Sequence, residues 1–317
     1  MRGIDAPFSR NAAVIVAISL LGAAPLWGES LPALVEPERD DVLTVLSYNV
    51  HGLASLVAKD DPRDRSPTIG WLAHEYDVVL FQEDFEYHDE LAQQILPHAN
   101  GYLGNGSWSR PGLALTNILV FPFTVLIPNF SPPYGAGISA FVDEDHDATA
   151  EALRVPYRGC HGWFGNGADC WSAKGFQRVT ARTANGAEVD IYNTHAEAGP
   201  SPADAAVRRR QLDQLAETIE QESADRALIV AGDFNVEFIR PLDRSLMLEF
   251  RDRLGLQDSG AAPELPVWRQ RDFILYRSGR GARLEVEAAG EALEFTGQRR
   301  ALSDHAALYA RFRMTPQ

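Results

Sequence analysis

The chain has 317 residues, of which 45% are hydrophobic and 23% are charged, and this balance is typical of a globular protein with a substantial buried core. Its formal net charge of −15 and its pI near 4.9 exclude a protein that holds nucleic acid through a broad basic surface. They do not exclude a nuclease that carries metal ions in its cleft, because the metal supplies local positive charge.

The N-terminus predicts a secretory signal peptide. Arg2 and Arg10 precede a short apolar run that extends from Ala12 to Gly28, with small residues near its end. A membrane anchor usually needs about 20 uninterrupted apolar residues, and this run is shorter and contains a proline. We therefore predict a secreted or periplasmic protein with a signal peptide over 1–28, a linker over 29–40 and one domain over 41–315.

Short apolar and β-branched runs predict strands along this domain, and a few longer segments predict helices. The clearest helix follows Ser201 as N-cap and Pro202 as first helical residue, with Leu212 and Leu215 on one face. The segment 185–187 predicts a hairpin. Many strands with few helices indicate two packed sheets with outer helices. The predicted strands are 43–48, 77–82, 113–121, 176–183, 188–194, 226–232, 272–277, 282–289 and 305–313, and the other helices are 64–74 and 87–96.

The two cysteines, Cys160 and Cys170, lie in a segment rich in glycine and aromatic residues. In an exported protein, an even pair at this loop spacing predicts a disulfide bond. A metal site formed by Cys160, His161 and Cys170 is the alternative, and it lacks a fourth ligand at a suitable spacing.

Polar side chains stand at the ends of several predicted strands. Each could be an ordinary turn or cap, because Asp and Asn favour turns and a glycine such as Gly232 permits unusual dihedral angles. Strand ends at one edge of a sheet bring distant sequence positions together, so the repeated pattern indicates one site. The residues are Asn49, Gln82, Glu83, His195, Asp233 and Asn235 after strands, and Asp272, Asp304 and His305 at the start of strands.

The motifs around these residues resemble those of the endonuclease/exonuclease/phosphatase superfamily, also called the DNase I-like fold. The motifs are "SYNVHG", "FQED", "NTHAEAG", "GDFN", "DFILYR" and "SDHAAL", in the family's order and over most of residues 41–313. The resemblance implies an α/β fold, a four-layer sandwich of two mixed β-sheets flanked by helices. It also implies a phosphodiesterase that uses Mg²⁺, or another divalent cation such as Mn²⁺ or Ca²⁺, for the attack of water on a phosphoester.

The resemblance implies three residues around the metal. Glu83 corresponds to the family's main Mg²⁺ ligand, and a hard cation prefers carboxylate oxygen. Asn49 corresponds to the amide that lies beside the metal or the scissile phosphate. Asp304 is expected to ligate metal, directly or through water.

It likewise implies the residues that handle protons and phosphate. Asp233 and Asn235 correspond to the pair that orients water and holds phosphate oxygens. His305 corresponds to the general base or a phosphate contact, and Asp272 to the carboxylate that fixes its tautomer. His195 corresponds to a second histidine that protonates the leaving oxygen. The chain departs from the family pattern next to Asp272, where a basic residue stands at a commonly apolar position.

One short segment indicates a branch of this superfamily. Lys174-Gly175, directly before a predicted strand, is similar to the Lys-Gly loop of neutral and bacterial sphingomyelinases, and an ammonium suits a phosphate group. A plain turn with an exposed lysine is the alternative. With His195, this segment favours a sphingomyelinase-like enzyme of phospholipase C type that acts on a phospholipid.

Two other classes of function stay open. A secreted nuclease would need basic or aromatic residues along its cleft, and the basic cluster 208–210 is the candidate, although it also suits charge balance on a helix. A non-catalytic binding module would not need both histidines and the metal carboxylate. An inositol phosphate is a further substrate that the motifs allow.

For a lipid substrate, we expect transient contact with a membrane surface and a monomeric enzyme. Tryptophan prefers the membrane–water interface, although exposed aromatic residues more often pack under loops. The acidic segment 143–151 lacks the glycine and glutamate of an EF-hand, and we interpret it as a solvated loop. The candidate contact residues are Phe130, Tyr134, Trp163, Phe164 and Trp171.

Overall fold

The computed structural model describes residues 41–53, 55, 61–103, 135–148, 153–163, 169–262, 270–296 and 301–317. They all belong to the unit Arg39–Gln317. The predicted signal peptide, the linker and the strand over 113–121 lie outside the described residues, as do Phe130, Tyr134 and Phe164.

Thirteen strands and four α-helices make up the described part of the chain. The helices are α1 (Pro62–Ala73), α2 (His88–Ala92), α3 (Pro202–Glu222) and α4 (Pro241–Leu254). The strands are β1 (Val42–Asn49), β2 (Val78–Gln82), β3 (Ala99–Leu103), β4 (Ile138–Asp143), β5 (Asp147–Ala148), β6 (Leu153–Pro156), β7 (Gly175–Arg182), β8 (Glu188–His195), β9 (Leu228–Asp233), β10 (Gln257–Asp258), β11 (Asp272–Arg277), β12 (Arg283–Glu291) and β13 (Leu308–Thr315).

The strands form two mixed sheets. The first has the order β12-β13-β1-β2-β4-β3, and the second has the order β10-β11-β9-β8-β7-β5 with β6 on β7. Each sheet contains one parallel pair, β1 with β2 and β8 with β9, and its other neighbours are antiparallel. A parallel pair needs a crossover connection, and α1 and α3 provide it.

Three apolar clusters show how the layers pack. The inner faces of both sheets meet in one core that includes Leu80, Ile191 and Ile274. A second cluster joins α3 and α4 to the outer face of the second sheet, and a third joins α1 and α2 to the first sheet. The result is an α/β/β/α sandwich of four layers, as predicted. Each buried Leu, Ile or Phe side chain stabilises such a layer by roughly 1.5–3 kcal/mol.

Local sequence explains where α3 and α4 begin and end. Ser201 caps α3 in a capping box with Asp204, and Pro202 follows at the first position, as predicted. The helix α4, which the sequence analysis did not predict, begins at Pro241 without a side-chain cap and ends at Gly255 in the left-handed conformation. No described helix combines the length and apolar character needed to cross a membrane.

Most predicted elements differ from the structure at one or both ends, and three of them are examples. The predicted strand over 305–313 begins only at Leu308, because Ser303 bonds the carbonyl of Asn49 and holds the preceding residues in a turn. The predicted helix over 87–96 is regular only over His88–Ala92, since the following residues form turns, with Ile95 donating to the carbonyl of Ala92. The predicted helix over 64–74 begins two residues earlier, where Asp61 caps it.

Candidate active site

The carboxyl ends of the two parallel strand pairs lie together where the sheets meet. In the first sheet, Asn49 at the end of β1 is paired with Gln82, the residue before Glu83. In the second sheet, His195 at the end of β8 is paired with Asp233 at the end of β9. Asn49 crosses between the sheets, because its Nδ2 lies 3.1 Å from both Glu83 Oε1 and Asp233 Oδ2.

The antiparallel strand β11 adds the next pair of residues. Asp272 begins β11 beside Asp233 and is 2.8 Å, through Oδ2, from His305 Nδ1. His305 Nε2 then lies 3.8 Å from Asp233 Oδ2, and His195 Nε2 lies 3.6 Å from the same oxygen. Asp233 is therefore flanked by two histidines and is only 1% exposed.

The backbone is strained at this site. Among the described residues, the non-glycine residues with positive φ are His51, Glu83 and Asn235, and all three belong to the site. Such conformations cost about 1–3 kcal/mol each and persist where the surroundings impose them. Gly52 allows the backbone of Glu83 to come close, because a Cβ at position 52 would lie 2.6 Å from the carbonyl oxygen of Glu83. The Gly52 N–H donates to that oxygen at 2.9 Å and holds Glu83 there.

Several buried polar atoms at the site lack a hydrogen-bond partner among the described residues. They are Glu83 Oε2, Asp272 Oδ1 and both ring nitrogens of His195. The ligand atoms of Glu83, His195 and Asp233 lie within 4.8 Å of one another, and so do those of Asp233, Asp272 and His305. Buried carboxylates without partners are costly, so this set of donors fits a divalent cation.

Burial and charge move the pKa values of the site in different directions. Burial and the Asp272 carboxylate raise the pKa of Asp233 to about 6. Burial opposes the charge of Glu83, but His51, His195 and Asn49 hold its pKa well below the ordinary value. These two carboxylates are neighbours and share the same nearby positive charges. A bound cation would therefore stabilise the charged form of both.

The pKa values of the two histidines are also shifted in opposite directions. Burial lowers the pKa of His195 well below the ordinary value, and the Lys174 ammonium lowers it further. Burial also acts against a charged His305, but Asp272 and Asp233 outweigh it and raise the pKa to about 10. Titratable pairs whose environments separate their pKa values are typical of acid–base sites.

Lys174 lies beside this cluster, held by its neighbours. Its Nζ is 2.7 Å from Asp169 Oδ1 and donates to the carbonyl of Ala196 at 3.0 Å. Burial would lower the pKa of Lys174, and the Asp169 carboxylate raises it instead. The plain turn with an exposed lysine is therefore wrong, since the side chain is 7% exposed.

The cysteine pair forms the predicted disulfide. Cys160 is bonded to Cys170, so the alternative metal site at these residues is wrong. His161 instead points its ring at Asp204, with 2.5 Å between Nδ1 and Oδ1. Asp169 precedes Cys170 directly, so the disulfide segment is joined to the site through the Asp169–Lys174 pair.

The remaining predicted residues have mixed positions. Asn235 is buried, and its Nδ2 donates to Ala196 at 3.0 Å. The side chain of Asp304 is 62% exposed and lies at the rim, 3.5 Å from His51 Nδ1. Within the basic cluster 208–210, the candidate feature of a nuclease, Arg208 is fully buried and pairs with Asp243 at 2.8 Å, as the charge-balance interpretation expects.

Sequence reasoning missed His51 and Asp169. His51 Nδ1 lies 3.4 Å from Glu83 Oε2, and its backbone N–H donates to Asn49 Oδ1 at 3.0 Å. His51 lies inside the motif "SYNVHG", and Asp169 directly precedes Cys170. The sequence could have pointed to them only because each is an ionisable residue within two positions of a predicted site residue or cysteine.

Comparisons with known proteins agree with this arrangement. The model of the Endonuclease/Exonuclease/phosphatase family matches residues 46–305. A sphingomyelinase from Mycobacterium tuberculosis is 31% identical over 282 residues, which cover 83% of this chain and 51% of that protein. The chain thus spans about half the length of the curated relatives that it matches.

Two solved structures share the fold. A Staphylococcus aureus beta toxin variant with bound magnesium ions is 17% identical, with a TM-score of 0.57 over 84% of this chain and 98% of that one. D. rerio TDP2 complexed with a single-stranded DNA product is 16% identical, with a TM-score of 0.57 over 86% of this chain and 98% of that one. At these identities, the likeness establishes the fold alone.

Proposed function

The chain belongs to the Endonuclease/Exonuclease/phosphatase family, and from that premise we propose that it is a divalent-metal-dependent phosphoric diester hydrolase of the sphingomyelinase-like, phospholipase C type. One observation carries the reaction class. Glu83, His195 and Asp233 bring their ligand atoms within 4.8 Å of one another, although they come from both sheets. The relative named sphingomyelinase supports the choice of a phospholipid.

We propose Glu83 and Asp233 as the residues that hold the cation, Mg²⁺ in the first instance. Glu83 Oε2 is buried without a hydrogen-bond partner among the described residues. Asp233 Oδ2 lies close to the Glu83 carboxylate, because Asn49 Nδ2 bonds both. When bound, the cation would supply positive charge for the phosphate and lower the pKa of water. The amide oxygen of Asn49 accepts a hydrogen bond from the backbone N–H of His51, and its Nδ2 donates to Glu83 and Asp233 and so orients both carboxylates. A direct contact of Asn49 or Asp304 with the metal stays a prediction.

We propose that His305 takes a proton from the attacking water through Nε2. Its Nδ1 bonds Asp272, which fixes the ring orientation and leaves Nε2 toward Asp233. Asn235 has a backbone N–H that donates to Asp233 Oδ1 at 2.8 Å, and this bond orients the Asp233 carboxylate. We assign to Asn235 the further role of holding a phosphate oxygen.

We propose that His195, whose Nε2 lies 3.6 Å from Asp233 Oδ2, donates a hydrogen bond from a ring N–H to the leaving oxygen. Its two ring nitrogens have no hydrogen-bond partner among the described residues, so one can turn a donor to substrate. The Lys174 ammonium, 3.0 Å from the carbonyl of Ala196, contributes positive charge behind this histidine and is assigned to the phosphate. Because Lys174 is buried, we expect it to act through its charge unless Asp169 releases it.

We also propose that the enzyme is exported and acts as a monomer. The charged and apolar pattern of residues 1–28 supports export. The disulfide between Cys160 and Cys170 supports an oxidising compartment.

The first experiment incubates the purified protein with Mg²⁺ and two substrates in parallel, sphingomyelin vesicles and supercoiled plasmid, with EDTA controls. We expect release of phosphocholine without nicking. Nicking without phosphocholine release would transfer the same catalytic residues to a nuclease, and the DNA-bound TDP2 of the same fold makes this the relevant alternative. Activity that persists in EDTA would contradict the metal assignment.

A further inference from the structure

Two large apolar side chains are exposed where the segment after β9 enters the first turn of α4, close in the chain to the candidate active site. Ile239 is 63% exposed and Leu242 is 60% exposed, while Phe234 and Val236 earlier in the segment are fully buried. Leaving a side chain of this size in water forfeits roughly 1.5–3 kcal/mol of burial. An apolar pair held at a site rim therefore points to a surface that is covered when the protein works.

This pair, which we name the apolar tip, is continuous with the site. The chain runs from Asp233 through Asn235 to Ile239 within six residues. A pocket of about 310 Å³ in this region is lined by residues that include Asn235, Glu237, Arg240 and Arg271. Arg240, which follows Ile239 directly in the chain, thus lines an opening that also reaches Asn235, a proposed phosphate-holding residue.

Packing fixes the apolar tip in place. Phe238, directly before it, lies against Phe273 of β11, with 5.9 Å between ring centroids. Glu237 pairs with Arg240 at 2.9 Å and with Arg271 at 2.8 Å, which ties both ends of the segment to the second sheet. The two side chains therefore project from a supported turn at the start of α4.

Charge around the tip suits phosphate groups. Arg240 and Arg271 line the pocket and share the single carboxylate of Glu237, and Arg240 also lies 3.5 Å from Asp243. With Arg244 one turn into α4, three arginines here stand against these two carboxylates, in a chain whose net charge is −15. Arginine pairs with phosphate while its stem covers apolar surface. Apolar side chains flanked by arginines match a lipid–water interface, where acyl chains lie beneath a layer of phosphates.

We propose that the apolar tip docks the enzyme on a zwitterionic phospholipid surface, with Ile239 and Leu242 at the acyl boundary and Arg240 and Arg271 at the phosphate level. The inference rests on the proposed function and adds to it the surface through which a lipid substrate reaches the site. A zwitterionic surface fits better than a strongly anionic one, because the chain as a whole is acidic.

The test compares Ile239→Ser/Leu242→Ser with Leu248→Ser, a control on the same helix that is 45% exposed. Binding is measured by co-sedimentation with phosphatidylcholine–sphingomyelin vesicles, in a Glu83→Gln background that removes hydrolysis. We expect the double variant to lose about tenfold or more in vesicle binding, and the control to bind like the parent. With Glu83 restored, vesicle turnover should fall by a larger factor than turnover of soluble bis(4-nitrophenyl) phosphate.

Equal binding by the double variant and its parent would overturn the proposal, as would an equal loss in the control. A parent protein that fails to bind vesicles would also overturn it. If the parent binds through the tip but releases no phosphocholine, the docking surface stands and the sphingomyelinase assignment fails. If the parent cleaves sphingomyelin and the double variant cleaves it equally well, that assignment stands and the docking surface fails.

Discussion

His305 and His195 both place Nε2 within 3.8 Å of Asp233 Oδ2, and their surroundings give them different charge states. The carboxylates of Asp272 and Asp233 raise the pKa of His305 to about 10, while burial and Lys174 lower that of His195. At pH 7, without a cation, His305 is charged and His195 is neutral. A cation on Glu83 and Asp233 would weaken the pull on His305 and bring its pKa toward the range of a general base.

Replacing His305 tests this division of roles. We expect His305→Gln to lower kcat by about 10²–10⁴-fold, because a positioned general base contributes that much. The melting temperature should change little, and Asp272→Asn should cost less than His305→Gln, since the ring keeps a partner at Nδ1. His74→Gln is the matched control, because His74 directly follows α1 and pairs with Glu75, which is not a residue of the site. Near-parental turnover of His305→Gln would show that the base is another group.

A second residue-scale prediction concerns Glu197, which is buried two residues after His195. Burial and the Asp169 carboxylate raise its pKa from the ordinary 4.5 to about 7. The folded chain therefore binds more protons at this residue than the unfolded chain does, so its contribution to stability falls as the pH rises between these values. We expect Glu197→Gln to raise the melting temperature at pH 8 and not at pH 4.

Calorimetry in EDTA at both pH values measures this effect. Glu249→Gln, on the surface of α4, is the control and should give no gain at either pH. A gain for Glu197→Gln that is equal at pH 8 and pH 4 would show that packing, and not ionisation, is responsible.

The sequence predicts most residues of the site but not how each is held. Glu83, Asp233 and His305 stand in motifs that chain order makes recognisable, and the structure brings them together. His51 and Asp169 were missed because a single charged residue in a loop carries no periodic signal. Their importance depends on distances of 3.4 Å to Glu83 and 2.7 Å to Lys174, which only the packed sheets determine.

At the scale of elements, strands with continuous apolar runs were predictable and mixed segments were not. The strand β11 has the predicted bounds, Asp272–Arg277, and β8 differs by one residue. The helix α4 was missed because Leu242 and Leu248 face solvent and break the apolar stripe, and because Arg240 offers no cap. Its position depends on contacts of Met247 and Phe250 with the second sheet, which the sequence does not display.

The close approach of β8 and β9 gives an element-scale prediction at Gly232. Its φ is +138°, and a Cβ would lie 2.0 Å from the carbonyl oxygen of Thr194. Gly232→Ala must therefore separate the strands that pair His195 with Asp233. We expect a loss of at least about 2 kcal/mol in the free energy of unfolding, together with loss of activity.

Gly186→Ala is the matched control, since Gly186 also has a positive φ but has open space around it. Chemical denaturation of both variants separates the cost of the clash from the cost of the dihedral angle. If both variants lost the same stability, the contact with Thr194 would not be the cause.

The disulfide gives a second prediction at this scale. The bond between Cys160 and Cys170 closes a short loop, and such a bond stabilises a protein by about 2–3 kcal/mol. We expect Cys160→Ser/Cys170→Ser to lower the melting temperature under oxidising conditions only. In reducing buffer the parent and the variant should melt together, and an unchanged melting temperature without reductant would contradict a stabilising role.

At the scale of the whole molecule, the site is a junction between two sheets. Glu83 follows β2 in the first sheet, and His195 and Asp233 end strands of the second. The carboxylates of Glu83, Asp233 and the adjacent Asp272 outnumber the one charged histidine among them, His305, in a chain that is already acidic. Direct hydrogen bonds join the sheets here, among them Asn49 Nδ2 to Asp233 Oδ2 and Gln82 Nε2 to Asn193 Oδ1.

A cation held between the sheets should therefore stabilise the whole fold as well as the reaction. Binding to the folded state alone adds about 2.7 kcal/mol at a cation concentration 100 times its Kd. We expect the melting temperature to rise with Mg²⁺ concentration in the parent and to stay constant in Glu83→Gln, which keeps the shape of the side chain but loses its charge. Glu294→Gln, on the surface beside Tyr76, should respond like the parent. An equal Mg²⁺ response in Glu83→Gln would place the stabilising cation elsewhere, whereas no response in the parent would show that the two sheets close without one.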